Sequence, residues 1–552
     1  MPPYHSVPAV QPYSMLMRRY YYLTSNYAET VLAFALLAWQ IAIPWLAPHF
    51  ATQDGPSHLY SATAMRDLVF HHSHTAYAPW YTIQRTPIPN WTASLALAAL
   101  GAIAGPDRAE RLFVSGAILI GFFAIAYAIR GLSRDANPWT PLANFLLQTW
   151  FLWMGFYNFY LGMALVPFAI GYYARHARQM NPRRAAALTG ILLGIFATHL
   201  VAALVAAMAV VLMTLWVAIA NRREFRVRDL AWSLVATLPL YGLVAIYALQ
   251  PHDPKIWASQ ALSAWRDFPM HVFVTASGRD GEQRLLRDIL LGCIILAPFL
   301  LRKKEWKSPR GGLILAAATA FMLYLFLPDE GVGGGAIKIR FAWAVFFLGG
   351  IAAISASRLS WVRGPLAICA VFLLAVNFTA TVHTLRGMSA AAADYLPVAE
   401  KIPPGATFVR LRYATPDAPD RFGYSDSGRD PLLHLDAFAA AKAHAVDLSD
   451  YEAPTRTFPL AFKSVIDPGH QSVLSSLQGP DSGSLPALPW LSEMRPGPID
   501  YVLVIGDKST AEAARQGMNE MLMSLAAHGS ILASSESGWV RLYRYGAPRG
   551  GS

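Results

Sequence analysis

Four short groups of residues in this chain combine types that do chemistry. Gln53-Asp54-Gly55-Pro56-Ser57-His58 sets a carboxylate four residues before an imidazole. Gly155-Phe156-Tyr157-Asn158 places a phenol beside an amide, and Ala197-Thr198-His199-Leu200 puts a histidine at the end of an apolar run. Asp329-Glu330-Gly331 leads through glycines to Lys338 and Arg340. Asp54 is the candidate general base. A carboxylate within hydrogen-bond reach of a hydroxyl can take its proton as the oxygen attacks. Arg340 and Lys338 are candidate anion stabilisers, Arg by a bidentate fork and Lys as a point charge. His58, Tyr157, Asn158, His199, Asp329 and Glu330 complete the candidate substrate-binding set.

What positions these groups follows from composition. The chain has 552 residues, 55% hydrophobic and only 14% charged, with mean hydropathy +0.33. A water-soluble domain carries about 25% charged residues. Segments such as 201–220 stay apolar for the roughly 20 residues that a helix needs to cross hydrocarbon. Apolar runs of spanning character occur at 31–47, 112–129, 139–155, 158–173, 185–199, 201–220, 229–250, 286–301, 312–328, 339–357 and 365–383. The run 31–47 follows Arg18 and Arg19 like a signal sequence and is read as an uncleaved anchor. The fold expected is a membrane all-α bundle of about 11 transmembrane helices over 1–383, with a C-terminal α/β domain over 384–552. The run 92–104 reaches only about 20 Å, short of a hydrocarbon core of about 30 Å, and together with the amphipathic stretch 58–70 is expected to lie in the interface.

Loop charge gives the orientation. With a cytoplasmic N-terminus and 92–104 not crossing, 19 Lys and Arg residues fall in short cytoplasmic connections. The alternative would move Arg175, Arg178, Arg183 and Arg184 outside, against the positive-inside rule. All four polar groups then emerge on the outer face, as does the tail after 384. Strands are expected at 407–413, 500–505 and 539–545, and a helix at 510–527. The net charge of +11 reflects this topology rather than nucleic-acid binding, because the cations sit between spans instead of along one face. Cys293 and Cys369 both fall in apolar runs, so the tail has no disulfide.

Plainer roles exist for each group. Asp54 and Ser57 suit a turn and a helix cap. Trp153, Tyr157 and Tyr160 suit an interfacial aromatic belt, and His199 a helix end facing headgroups. Lys338 and Arg340 can snorkel. Ionisable residues at membrane depth are nevertheless costly, and that cost usually accompanies function.

An N-terminal span, an outer loop that opens on Asp54 and continues into 58–70 and 92–104, and a C-terminal outer domain resemble the GT-C superfamily of integral-membrane glycosyltransferases. The resemblance implies sugar transfer from a polyprenyl-phosphate donor at the outer face of a bacterial plasma (inner) membrane, with inversion. It leaves a divalent metal open as a cofactor and makes membrane lipids partners. It also implies that Asp54 acts as base, that Arg340 and Lys338 meet the leaving phosphate, and that the loop 251–285 with Trp257, Trp265 and His271 shapes the acceptor site. The second outer loop, GFYN, lacks the carboxylate that many members carry there. Two other classes remain open: a non-catalytic scaffold or degenerate transferase, and a transporter with a pathway reaching both faces.

Overall fold

The structure is a computed structural model. It describes residues 13–50, 52–71, 74–250, 261–277, 298–299, 301–329, 335–356, 363–412, 432–455, 457–463, 499–505, 523, 525, 527 and 529–545. Glu330, most of the span 286–301 and most of the helix expected at 510–527 lie outside the described residues.

Among those residues, six helices are long and apolar enough to cross a membrane, as suits an integral membrane protein. They run over Asn26–Trp45, Pro106–Leu132, Leu200–Ala220, Val227–Ala248, Pro309–Phe326 and Ile337–Ile354. The helices in chain order begin with α1 (Tyr13–Ala42), α2 (Gly55–His71), α3 (Trp91–Ala104) and α4 (Pro106–Leu132). Then follow α5 (Pro141–Leu147), α6 (Trp150–Met154), α7 (Tyr157–His176), α8 (Pro182–Thr198) and α9 (Leu200–Ala220). Next come α10 (Val227–Val235), α11 (Leu238–Ala248), α12 (Ala261–Ser277), α13 (Lys303–Trp306), α14 (Pro309–Phe326), α15 (Ile337–Ile354) and α16 (Arg363–Ala399).

One expected span is broken and another keeps its spanning length but is interrupted by a turn, each for a local reason. Within 139–155 the helix stops at Gln148, and Thr149 caps α6 by accepting from Phe151 N. Thr offers the backbone this alternative to a continuing helix. Within 229–250, Pro239 stands in the first turn of α11, so α10 ends at Val235; proline supplies no N–H and crowds the preceding turn. The boundary expected at 384 falls inside α16, which runs unbroken to Ala399. The region expected as a loop over 251–285 contains α12, on which His271 Nδ1 lies 2.7 Å from Tyr324 Oη.

The C-terminal part contains a five-stranded sheet. β2 (Thr407–Arg412) pairs in parallel with both β3 (Val446–Asp447) and β5 (Tyr501–Ile505). β7 (Val540–Arg544) then runs antiparallel to β5, and β6 (Ser530–Ser534) closes the edge. β5 is buried at all five positions, as the apolar run Tyr-Val-Leu-Val-Ile requires of a central strand. α17 (Leu435–Ala443) and α18 (Glu452–Thr455) flank it. A separate two-stranded ribbon joins β1 (Tyr81–Ile83) of the first loop to β4 (Leu460–Phe462), in register Tyr81↔Phe462.

That ribbon shows how the parts divide. One hydrophobic core lies within the helical bundle. The second unites Leu59, Tyr60, Tyr77 and Tyr81 of the first loop with the end of α16 and the sheet. α2 is therefore not an amphipathic helix with one face on lipid. It is buried around most of its circumference, from Gly55 through Met65, as a layer between the bundle and the C-terminal sheet with its flanking helices. Polar residues of this helix face the C-terminal part of the chain: Ser57 and Ser61 donate to Asp450 at 3.1 and 3.3 Å, and Asp67 pairs with His444.

Candidate functional site

The first turns of α2, α7, α9 and α15 converge with Leu433, His434, Tyr451 and Phe458 around a cavity of about 860 Å³. Asp54, His58, Asn158, His199 and Arg340 all line it. Tyr157, Asp329 and Lys338 do not. The Tyr157 hydroxyl turns away to Glu110 and Thr52. Asp329 organises the start of α15, its carbonyl accepting from Ile337 N and its carboxylate from Lys338 N. Lys338, between the lining residues Ile337 and Arg340, is buried and does not line the cavity.

The Asp54 loop is held from below. Gln53 N and Asp54 N donate to Trp153 O and Met154 O at 3.2 and 3.0 Å. Gly155 permits this approach: its φ is +79°, and a Cβ there would lie 2.6 Å from Gly55 N. Beneath, the buried Glu110 carboxylate accepts from Thr52 N at 3.2 Å, from Thr52 Oγ1 at 3.1 Å and from the Tyr157 hydroxyl. Thr52 Oγ1 in turn accepts from Gly55 N.

At the head of α2 it is Thr52 Oγ1, not the Asp54 carboxylate, that accepts from Gly55 N; the carboxylate faces other partners. It meets Gln53 Nε2 at 3.2 Å and the Tyr451 hydroxyl, with His434 Nε2 at 3.8 Å. Burial pushes its pKa up to about 6, opposed chiefly by the charge of His58. His58 forms an ion pair with Glu452. Burial works to lower the His58 pKa, but the Glu452 carboxylate more than offsets it and holds the imidazole above its usual value.

His434 belongs to a chain of buried groups. Asp436 pairs with Arg410, both fully enclosed, and Arg410 Nη2 lies 3.3 Å from His434 Nδ1. A guanidinium only donates, so Nδ1 is the acceptor and the proton sits on Nε2, facing Asp54. Burial, then Arg410 and Arg412, keep the His434 pKa well below its usual value.

At the bundle side of the cavity, His199 caps α9 by accepting from Val201 N at Nδ1, 3.1 Å away. That leaves hydrogen on Nε2 of the neutral ring, which faces Arg340 Nη1 at 3.0 Å. Two donors thus face each other. Arg340 also stacks over Phe159 and Phe156, at 5.0 and 5.3 Å from their ring centres. Among the described residues it pairs with no carboxylate, and its buried Nε has no hydrogen-bond partner. The wall beyond is apolar, with Leu200, Leu204, Leu327, Ile337 and Phe341. Tyr451 joins the two ends: it hydrogen-bonds Asp54 and lies close enough to Arg340 to feel its charge.

Sequence reasoning missed Glu110, Asn90, His434 and the run Asp450-Tyr451-Glu452. The acid-rich DLSDYE at 447–452 was a visible signal, as was a glutamate in the first turns of an apolar span. Among the described residues no three His, Cys, Asp or Glu side chains converge to hold a metal ion. Trp265 and His271 lie away from the cavity lining.

No protein-family profile matches the chain, and no curated protein sequence does. Among solved structures, the chain is similar to the crystal structure of ArnT from Cupriavidus metallidurans bound to undecaprenyl phosphate, with 11% identity, a TM-score of 0.49, and coverage of 96% of this chain and 99% of that one.

Proposed function

We propose that this protein is a membrane glycosyltransferase that moves a sugar from a polyprenyl-phosphate donor to an acceptor hydroxyl at the outer face of the membrane. The observation that carries the reading is the pair His199 and Arg340. Two hydrogen-bond donors point at one another 3.0 Å apart in the cavity, and a phosphate oxygen accepting from both would satisfy them and neutralise the guanidinium. The apolar wall beside them suits the lipid chain, and the polar end with Asp54 suits sugar and acceptor.

In the reaction proposed, Asp54 takes the proton as the acceptor oxygen bonds to the anomeric carbon. The bond from that carbon to the phosphate oxygen breaks, and its electron pair stays on the phosphate, facing Arg340 and His199. One displacement inverts the anomeric centre. Groups aimed at charge that develops only in the transition state contribute most to rate. His58, held by Glu452, adds positive charge beside Asp54 and favours its ionised form.

The test is sugar transfer from a polyprenyl-phosphate donor by the purified full chain, with thermal unfolding followed in parallel. Asp54→Asn retains shape and folding but loses about 10²–10⁴ in rate, the usual worth of a general base. Arg340→Lys keeps the charge, loses the fork and is also impaired. Full transfer by Asp54→Asn would remove Asp54 from the mechanism and favour a scaffold or a transporter.

A further inference from the structure

Two buried amides line the cavity with opposite free atoms. Asn158 Oδ1 accepts from Ala93 N at 2.9 Å, which fixes the orientation of the amide and leaves Nδ2 without a partner. Asn90 Nδ2 donates to Thr457 O at 3.1 Å, which leaves Oδ1 without a partner. Because a backbone group holds the other end of each amide, neither can flip without losing a hydrogen bond. Asn158 is 3% exposed and Asn90 8%. Asn90 adopts φ +70°, outside the ordinary range for a side-chain-bearing residue. Asn tolerates that conformation better than most, and here it delivers the amide to the cavity rim at the start of α3.

We infer that Asn90 and Asn158 form a subsite for uncharged sugar hydroxyls, which selects a neutral hexose or pentose over an acidic or an amino sugar; this rests on the glycosyltransferase reading. A hydroxyl both donates and accepts. A pair of hydroxyls, one accepting from the free Asn158 N–H and one donating to the free Asn90 carbonyl, therefore satisfies both atoms. A carboxylate would satisfy Asn158 and set a negative charge against Asn90 Oδ1. An ammonium would satisfy Asn90 and meet the N–H of Asn158. A site built to hydrogen-bond a substrate group rejects an analogue that leaves its buried atoms unpaired.

The pair is tested by affinity. The full chain in lipid nanodiscs is titrated with unglycosylated polyprenyl phosphate and with polyprenyl-phosphate donors carrying a neutral hexose, a uronic acid or an amino-deoxy sugar. Wild type is expected to bind the neutral donor most tightly. Asn158→Asp keeps the bond from Ala93 N but turns the outward donor into an anionic acceptor. It should bind the neutral donor about 10- to 100-fold more weakly, as expected for unpaired buried groups, and shift preference toward the amino sugar. Asn90→Gly keeps the backbone conformation, removes the acceptor and should weaken the neutral donor about 10-fold. Thermal unfolding verifies that each variant is folded. A wild type that prefers the acidic or amino donor, or an unchanged preference in Asn158→Asp, overturns the subsite while leaving the phosphate site standing. If wild type binds no polyprenyl phosphate, the parent reading falls. Titration with free methyl glycosides then judges the pair alone, and equal binding by wild type and Asn158→Asp overturns it.

Discussion

His434 directs Nε2 at Asp54 Oδ1 across 3.8 Å, from a domain whose chain begins more than 300 residues later. The Asp436–Arg410 pair behind it decides which nitrogen carries the proton. The C-terminal part of the chain thus sets an N–H-bearing ring beside the carboxylate rather than only a roof over it.

Substitution at 434 should therefore act through Asp54. His434→Gln retains an N–H near the position of Nε2 and should keep most transfer activity. His434→Leu should leave Asp54 more weakly held, moving the acidic limb of the rate profile upward from about 6 and slowing transfer about 10-fold. Activity rises with pH through this limb because the base must be ionised. The measurement is rate against pH for wild type and both variants. An unmoved limb in His434→Leu would confine the residue to packing.

Gly155 should tolerate no side chain. An added Cβ would meet Gly55 N at 2.6 Å and Asp54 N at 2.8 Å, at a φ that L-residues avoid. Gly155→Ala is expected to cost about 2–4 kcal/mol and to expose the Asp54 loop to proteolysis. Thermal unfolding in detergent checks this, with Gly190→Ala, where an added Cβ meets nothing within 4 Å, as the control.

Domain docking should weaken with rising pH through Asp450. Burial, then the Glu452 charge, push its pKa up to about 7 from 3.8. A carboxyl whose folded pKa is raised contributes stability that is fully present below about 4 and is lost as pH rises through about 7. Asp450→Asn keeps one acceptor oxygen for Ser57, sets an N–H toward the Ser61 oxygen in place of the second, removes the titrating proton and should flatten this part of the stability–pH curve. Unfolding midpoints at pH 5, 6, 7 and 8 for both proteins decide it. Parallel curves would assign the pH dependence to other groups.

The proposed orientation is checked by reporter fusions after residues 180, 306 and 400. These should read inside, inside and outside, because the Arg- and Lys-rich connections hold the first two in the cytoplasm. An outside signal at 180 would reverse the assignment of 92–104.

The polar positions at the ends of apolar runs were legible, since charge or amide at membrane depth stands out against hydrocarbon. Asp54, His58, Asn158, His199 and Arg340 belong to that class. β2, β5 and β7 were legible from alternating or continuous apolar runs. The role of α2 was not, because an amphipathic pattern reports a polar face without saying whether water, lipid or protein meets it. His434 and Glu452 were invisible for a related reason. Their partners lie in the first loop, and no local periodicity encodes a contact between segments so far apart in the chain.

The ribbon β1–β4 and the Ser57–Asp450 bond, 393 residues apart in sequence, impose an order on biogenesis. The bundle can be inserted helix by helix as it is made. The groups around Asp54 then lack their C-terminal partners until His434, Asp450 and Glu452 have folded back onto the first loop. Closing so long a loop costs little more entropy than closing one of half its length, since the cost grows only logarithmically. It must nevertheless wait for nearly the whole chain. A polypeptide cut short before residue 434 would therefore carry every helix-borne group that lines the cavity and still leave Asp54 uncovered on that side.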